Sequence, residues 1–253
     1  MRKFFTSLLV VLLAACSAEY GNVNGESLDT VGNSAPVLSE HPAPLKILIF
    51  GGTSGVGLQM TELALARGHA VTSVTRHPER MSIEHPRLNN QKGDITKRDS
   101  FDHLFKDQDA IISAIGLKPT RKEIWVYSKG IGKVLAAMQD HSVDRVLSIT
   151  GIGAGDSKGH GGFFYDKILN PLMLKTGYDD KTRQEEILVS SDTQWTIVRP
   201  GFFDDNAPKQ QYRVIMELQG FTSGSIARAD VAHFLLSAVE QNNYLRDTVF
   251  LSN

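Results

Sequence analysis

The run from Leu45 to Arg76, LKILIFGGTSGVGLQMTELALARGHAVTSVTR, leaves this chain few folds to choose from. Leu45 to Phe50 is short and nearly all apolar, the pattern of a strand buried on both faces of a parallel sheet. Gly51, Gly52, Gly55 and Gly57 follow at once. Leu58 to Arg67 then carries a helical period, with Leu58, Leu63 and Ala66 on one stripe and Gly68 as its stop. Ala70 to Thr75 reads as a second strand. A β-α-β unit of about thirty residues is the size of a dinucleotide-binding half. Its glycines let the chain turn sharply and bring backbone amides against a pyrophosphate at the helix N-terminus. The loop Gly51, Gly52, Thr53, Ser54, Gly55, Val56 and Gly57 is therefore expected to hold phosphate, with the Thr53 and Ser54 hydroxyls as added hydrogen-bond partners.

The residue after the second strand bears on which nucleotide fits. An NAD site usually places Asp or Glu there to hold the ribose hydroxyls. This chain has Thr75-Arg76-His77, and its next carboxylate is Glu79. Arg76 suits a 2′-phosphate, which points to NADP (as NADPH); the alternative is a solvated arginine at a strand end.

The N-terminus reads as a targeting segment. Arg2 and Lys3 precede an apolar run, Phe4 to Leu12, too short to span a bilayer. Leu13-Ala14-Ala15-Cys16 resembles the lipobox of bacterial lipoproteins, so residues 1–15 are expected to be a signal peptide and Cys16 the lipidated residue. An ordinary signal peptide with a chance cysteine is the competing reading. Cys16 is the only cysteine, which leaves no disulfide and no cysteine-based metal site. Residues 16–44 are rich in Gly, Asn, Ser, Glu and Pro without an apolar period, the composition of a flexible tether. The expected location is the exported side of a bacterial envelope, attached to the membrane by lipid. Sec-type export would deliver the chain without a cofactor. Either the cofactor is scavenged, or the lipobox is unused, or the site holds another ligand.

Residues 45–253 suit one α/β domain. A net charge of −1 and the absence of a dense Lys/Arg run argue against nucleic acid as partner. Strands are expected near Arg87–Gln91, Asp109–Gly116, Arg145–Thr150, Trp195–Pro200 and Val249–Ser252. Ser100–Phe105 reads as a short helix, and Tyr127, Ile131, Val134, Leu135 and Met138 carry a helical period. This alternation calls for a Rossmann-type, doubly wound, mostly parallel sheet.

From Leu45 to Asn253 the chain resembles the atypical short-chain dehydrogenase/reductases, the NAD(P)H-binding group that includes flavin/biliverdin reductase B and the NmrA-like regulators. The resemblance rests on GGTSGVG, Arg76, Gly93-Asp94, Asp109-Ala-Ile-Ile-Ser-Ala114, Lys181-x-x-x-Glu185-Glu186, Trp195-Thr-Ile-Val-Arg-Pro-Gly201 and Ala229-Asp-Val-Ala232. It implies that Asp94 and the amide of Ile95 bond the adenine edge, and that Ala114 lies beside the cofactor. The loop departs from the group's Gly-x-x-Gly-x-x-Gly, since position 54 is Ser; Gly51, Gly55 and Gly57 match the Gly-x-x-x-Gly-x-Gly of the main short-chain branch.

The main branch pairs a Ser with Tyr-x-x-x-Lys for proton transfer, and this chain has no Tyr-x-x-x-Lys. Tyr178 precedes Lys181 by three residues, and Lys181 aligns with the family's lysine. Gly177 and Asp179-Asp180 predict a helix start near Asp180, which would leave Tyr178 on a loop. Thr150 stands where a catalytic Ser often stands. Thr150, Tyr178 and Lys181 are thus an off-register proton-transfer set, or else Thr150 bonds nearby backbone, Tyr165 packs with Phe163 and Phe164, and Lys181 faces water. Gly161-Gly-Phe-Phe-Tyr165 and Gly201-Phe-Phe203 are candidates for an apolar wall over the nicotinamide, and His160 for a proton source near it. The expected activity is NAD(P)H-dependent reduction of a small planar or carbonyl-bearing substrate; the rival is a non-catalytic NAD(P)-binding sensor.

Overall fold

A computed structural model describes Ala35, Pro36, Leu38 and residues 43–253; Cys16 and the segment before it lie outside the described residues. The strands are β1 (Lys46–Phe50), β2 (Ala70–Thr75), β3 (Leu88–Lys92), β4 (Ala110–Ser113), β5 (Arg145–Ile149), β6 (Gln194–Pro200), β7 (Phe202–Asp204), β8 (Arg213–Ile215), β9 (Ser225–Ala227) and β10 (Asp247–Ser252). The helices are α1 (Gly55–Ala66), α2 (Val126–Asp140), α3 (Lys175–Val189) and α4 (Arg228–Glu240). Eight strands form one sheet in the order β3-β2-β1-β4-β5-β6-β10-β8. All pairs are parallel except β10 with β8. β7 and β9 make a separate parallel ribbon. The Rossmann-type doubly wound sheet expected from the sequence is the sheet observed.

Strand alternation sorts the core into two layers. In β1, Ile47 and Ile49 face α1 and α4, joining Met60, Ala64, Val231 and Leu235. Leu48 and Phe50 face the other way, against Ile131, Val134 and Met138 of α2 and Leu188 of α3. Every one of these side chains is at most 1% exposed, as a strand covered on both faces requires. Ala35 and Leu38 pack against the first layer.

Several element boundaries differ from expectation. α1 begins at Gly55 rather than Leu58, so Gly55 and Gly57 lie in its first turn. The expected helix at Ser100–Phe105 is two single 3₁₀ turns, Arg98–Ser100 and Asp102–Leu104. The largest correction concerns Tyr178. The chain is already helical from Phe163, with i→i+5 turns over Tyr165–Leu174 leading directly into α3. Gly177, Asp179 and Asp180 imitate a helix start, yet Tyr178 sits one turn inside α3, on the same face as Lys181.

Strand order reverses between β1 and β4, and the crevice beyond their C-terminal ends is where this topology binds ligands.

Candidate functional site

The turn after β1 depends on atoms that only glycine lacks. Gly51 has φ +88°, and a Cβ there would lie 2.7 Å from the Ala114 carbonyl oxygen. A Cβ at Gly57 would lie 2.2 Å from the Gly51 oxygen. These contacts seat α1 directly on the turn and hold Ala114 at the end of β4. Ser54 stands at the helix N-cap without a side-chain capping bond, and the first turn contains no acidic residue. The first amides of α1 are therefore left for an anion.

A groove of about 220 Å³ runs along this edge. Gly51, Thr53, Ser54, Arg76, Asp94, Ile95 and Ala114, all expected from the sequence, line it. His77, Arg80, Thr96, Ile115, Gly116 and Leu117 line it too. Gly52 lies beneath the loop, where a Cβ would meet Ser73 Oγ at 2.5 Å. Val56 is buried in the first core layer.

Asp94 Oδ1 accepts from the Thr96 amide at 3.0 Å and the Thr96 hydroxyl at 2.8 Å. Partial burial pushes its carboxyl upward, but those bonds and the charges of Arg76 and Lys97 outweigh it and hold the group below the usual aspartate range. Asp94 is thus a charged acceptor beside Arg76.

Leu117 also lines a second pocket, about 150 Å³, together with Lys118, Ile124, Tyr127, Met173, Leu174, Tyr178 and Lys181 among others. Three of its polar groups, Tyr127, Tyr178 and Lys181, come from two helices fastened together by Asp180. α2 starts at Trp125 without a side-chain cap. Asp180, fully buried on α3, supplies that cap by accepting from the Tyr127 amide at 2.8 Å and the Ser128 hydroxyl at 2.5 Å. Tyr127 is thereby set beside Lys181, whose Nζ lies 5.2 Å from the Tyr127 ring centre and 5.5 Å from that of Tyr178. The Tyr178 ring rests on Gly153, where a Cβ would come within 2.6 Å of it.

Thr150, Tyr178 and Lys181 do come together, in unequal states. Lys181 Nζ donates to the Thr150 carbonyl at 2.5 Å. Burial of its ammonium lowers its pKa to about 8, against a partly offsetting attraction to Glu185. Burial raises the Tyr178 phenol above its ordinary range and moves Tyr127 up to about 12. The Thr150 hydroxyl donates to Glu185 Oε1 at 2.6 Å, away from the pocket.

Glu185 also holds Arg199 of β6 in a two-pronged pair, Nε–Oε1 at 3.0 Å and Nη2–Oε2 at 2.7 Å, and Arg199 reaches Asp156 as well. The sequence motifs contain Glu185 and Arg199 but give no reason to join them; they lie on α3 and β6, brought together only by packing.

The residues expected to form an apolar wall do not themselves line this pocket, although Tyr165 packs edge-on behind its Tyr178. Tyr165 stacks edge-on with Phe202 in a small core, Phe163 is 79% exposed and Phe203 is 41% exposed. His160 bonds the Phe221 carbonyl and lines a different cavity, with Asp156 and Arg199. Among the described residues there is no cluster suited to a metal ion, and no helix is long and apolar enough to cross a membrane.

Residues 51–242 match a protein family described as NAD(P)H-binding. A segment of 61 residues is 36% identical to an uncharacterized oxidoreductase of Schizosaccharomyces pombe; it covers 24% of this chain and 21% of that one. ChuY, an anaerobillin reductase from Escherichia coli O157:H7, superposes with a TM-score of 0.70 at 23% identity, over 82% of this chain and 96% of that chain. A short-chain dehydrogenase/reductase from Veillonella parvula, in complex with NADP, superposes with a TM-score of 0.71 at 14% identity, over 83% and 95% of the two chains.

Proposed function

Because the chain belongs to the NAD(P)H-binding family, we propose that it is an NADPH-dependent reductase of a small planar or carbonyl-bearing acceptor such as a flavin or quinone. One observation carries this reading: the groove that suits a dinucleotide lies next to a pocket lined by Lys181, and Leu117 is a wall of both. When bound, the nicotinamide would supply hydride.

The chain's own residues divide the remaining work. The first amides of α1 take the pyrophosphate, Arg76 the 2′-phosphate, and Asp94 with the Ile95 amide the adenine edge. Lys181, with its pKa lowered to about 8, gives the proton that the reduced acceptor needs and regains it from solvent. The tyrosines are poor donors by comparison, since burial raises both phenols. Their rings and Leu174, Ile124 and Met173 exclude water and orient a flat acceptor. Thr150 contributes its carbonyl, which holds the Lys181 head in place. The lipobox at Cys16 supports attachment to the exported side of a bacterial membrane, which fractionation of wild type against Cys16→Ala would check.

The test is NADPH and NADH titration of the purified protein, followed by turnover with flavins, quinones and carbonyls. NADPH should bind more tightly than NADH, and Arg76→Ala should cost about 1.5–3 kcal/mol of NADPH affinity while sparing NADH. Equal losses for both cofactors would remove Arg76 from the site. A protein that binds NADPH and reduces no acceptor would support the second reading, a non-catalytic sensor. That reading draws on the phenols with raised pKa and the inward-turned Thr150 hydroxyl.

A further inference from the structure

A cation from outside the β-α-β unit stands beside the phosphate loop. Arg228 opens α4, and α4 packs along α1. A Cβ at Gly55 would lie 3.9 Å from both Cδ and Nε of Arg228, so the arginine stem stands beside the loop with room for about one methyl group between them. Its guanidinium is held by the segment that follows β6. It lies 4.9 Å from the Phe203 ring centre, and Nη1 donates to Asp205 Oδ1 at 2.5 Å.

This holding arrangement is weak where it matters. The Asp205 side chain is 87% exposed and that of Arg228 31%. Such a pair is screened by water and contributes little net stability. A pyrophosphate on the open amides of α1 would offer the guanidinium a stronger partner. It carries more charge, and several oxygens that accept charge-assisted bonds. Phe203 would keep the guanidinium plane in place during the exchange, because cation–π contact does not depend on Asp205. The other end of the Asp205 segment is fixed independently. Asp230 of α4, fully buried, accepts the amides of Lys209 at 3.1 Å and Gln210 at 2.9 Å.

Resting on the reading of the groove as a dinucleotide site, we propose that Arg228 is a pyrophosphate-binding residue kept in waiting by Asp205, and that it exchanges this carboxylate for the cofactor's phosphate oxygens on binding. Arg228 then acts on the part of the ligand that NADPH and NADH share, whereas Arg76 acts on the part they do not.

Titrations of the full chain with NADPH, NADH and adenosine 2′-monophosphate, which lacks the pyrophosphate, test this. Arg228→Gln should weaken both dinucleotides by the same factor, about tenfold or more, and leave adenosine 2′-monophosphate unchanged. Arg228→Lys should recover part of the loss. Asp205→Asn, which removes the competitor, should leave both dinucleotides bound as tightly as in wild type or more so. If the pair were merely structural, Asp205→Asn and Arg228→Gln would weaken binding alike; that outcome, or unchanged binding in Arg228→Gln, overturns the proposal. Should Arg228→Gln fail to fold, Arg228→Lys and Asp205→Asn carry the comparison. A wild-type chain that binds neither dinucleotide overturns the cofactor reading, and the proposal with it.

Discussion

Gly57→Ala adds one methyl group and should separate a packing requirement from a propensity effect. The new Cβ would sit 2.2 Å from the Gly51 oxygen and 2.8 Å from its carbon, where ordinary contact begins at 3.4 Å. The first turn of α1 must therefore retreat from the β1 turn by about 1 Å, a distance set by that shortfall. It cannot retreat freely, since Met60 and Ala64 on the same helix are fully buried. Overpacking of this kind costs about 1–3 kcal/mol. Gly132→Ala supplies the control. Gly132 lies inside α2, and a Cβ there meets nothing within 4 Å. The same substitution should then stabilise by about 0.5–1 kcal/mol, the ordinary advantage of Ala over Gly in a helix. Urea titrations of the two variants should thus move in opposite directions from wild type, with unchanged slopes. Gly57→Ala should also lose nucleotide affinity, because the α1 amides move with the turn. A Gly57→Ala protein as stable as wild type, or a Gly132→Ala protein equally destabilised, would refute the steric argument.

Two further outcomes follow from the buried charges. Glu185→Leu should destabilise by about 3–5 kcal/mol in urea unfolding by leaving the buried Arg199 with only the exposed Asp156, and adding Arg199→Met should recover most of the loss. Reduction of an acceptor that needs a proton should be fastest below about pH 8 and fall above it as Lys181 deprotonates; Lys181→Met should flatten that profile. A decline at the same pH in Lys181→Met would assign the proton to another group.

The sequence displays what is local. Leu45–Phe50, the glycine turn and Ala70–Thr75 are neighbours in the chain, so strand, turn and strand can be read from spacing alone. Arg76 stands out for the same reason, directly following the second strand, whereas Asp94 is singled out only through the family resemblance. Tyr178 misled because Gly177 and Asp179-Asp180 are good start signals, and the helix runs through them from Phe163 regardless. Asp180 is a capping residue, but for α2, more than fifty positions earlier. β7, β8 and β9 are three residues each, too short for an alternating pattern to stand out. Arg228 and the Glu185–Arg199 pair are assembled by helices packing on the sheet, and no spacing rule reaches that far.

The position of β10 has a consequence for how the chain reaches this state. It is made last of the ten strands yet lies inside the sheet, pairing Thr196 with Asp247 on one side and Val214 with Leu251 on the other. Its partners lie 51 and 37 residues back in the chain, so this part of the sheet closes only when those non-local pairings form. Until β10 docks, β6 presents an open edge along Trp195–Pro200, and β8 has no place in the sheet. An unpaired apolar edge is a template for another chain. A chain interrupted before Asp247 would keep the nucleotide half complete and still be prone to aggregate through β6, rather than persist as a smaller soluble binder.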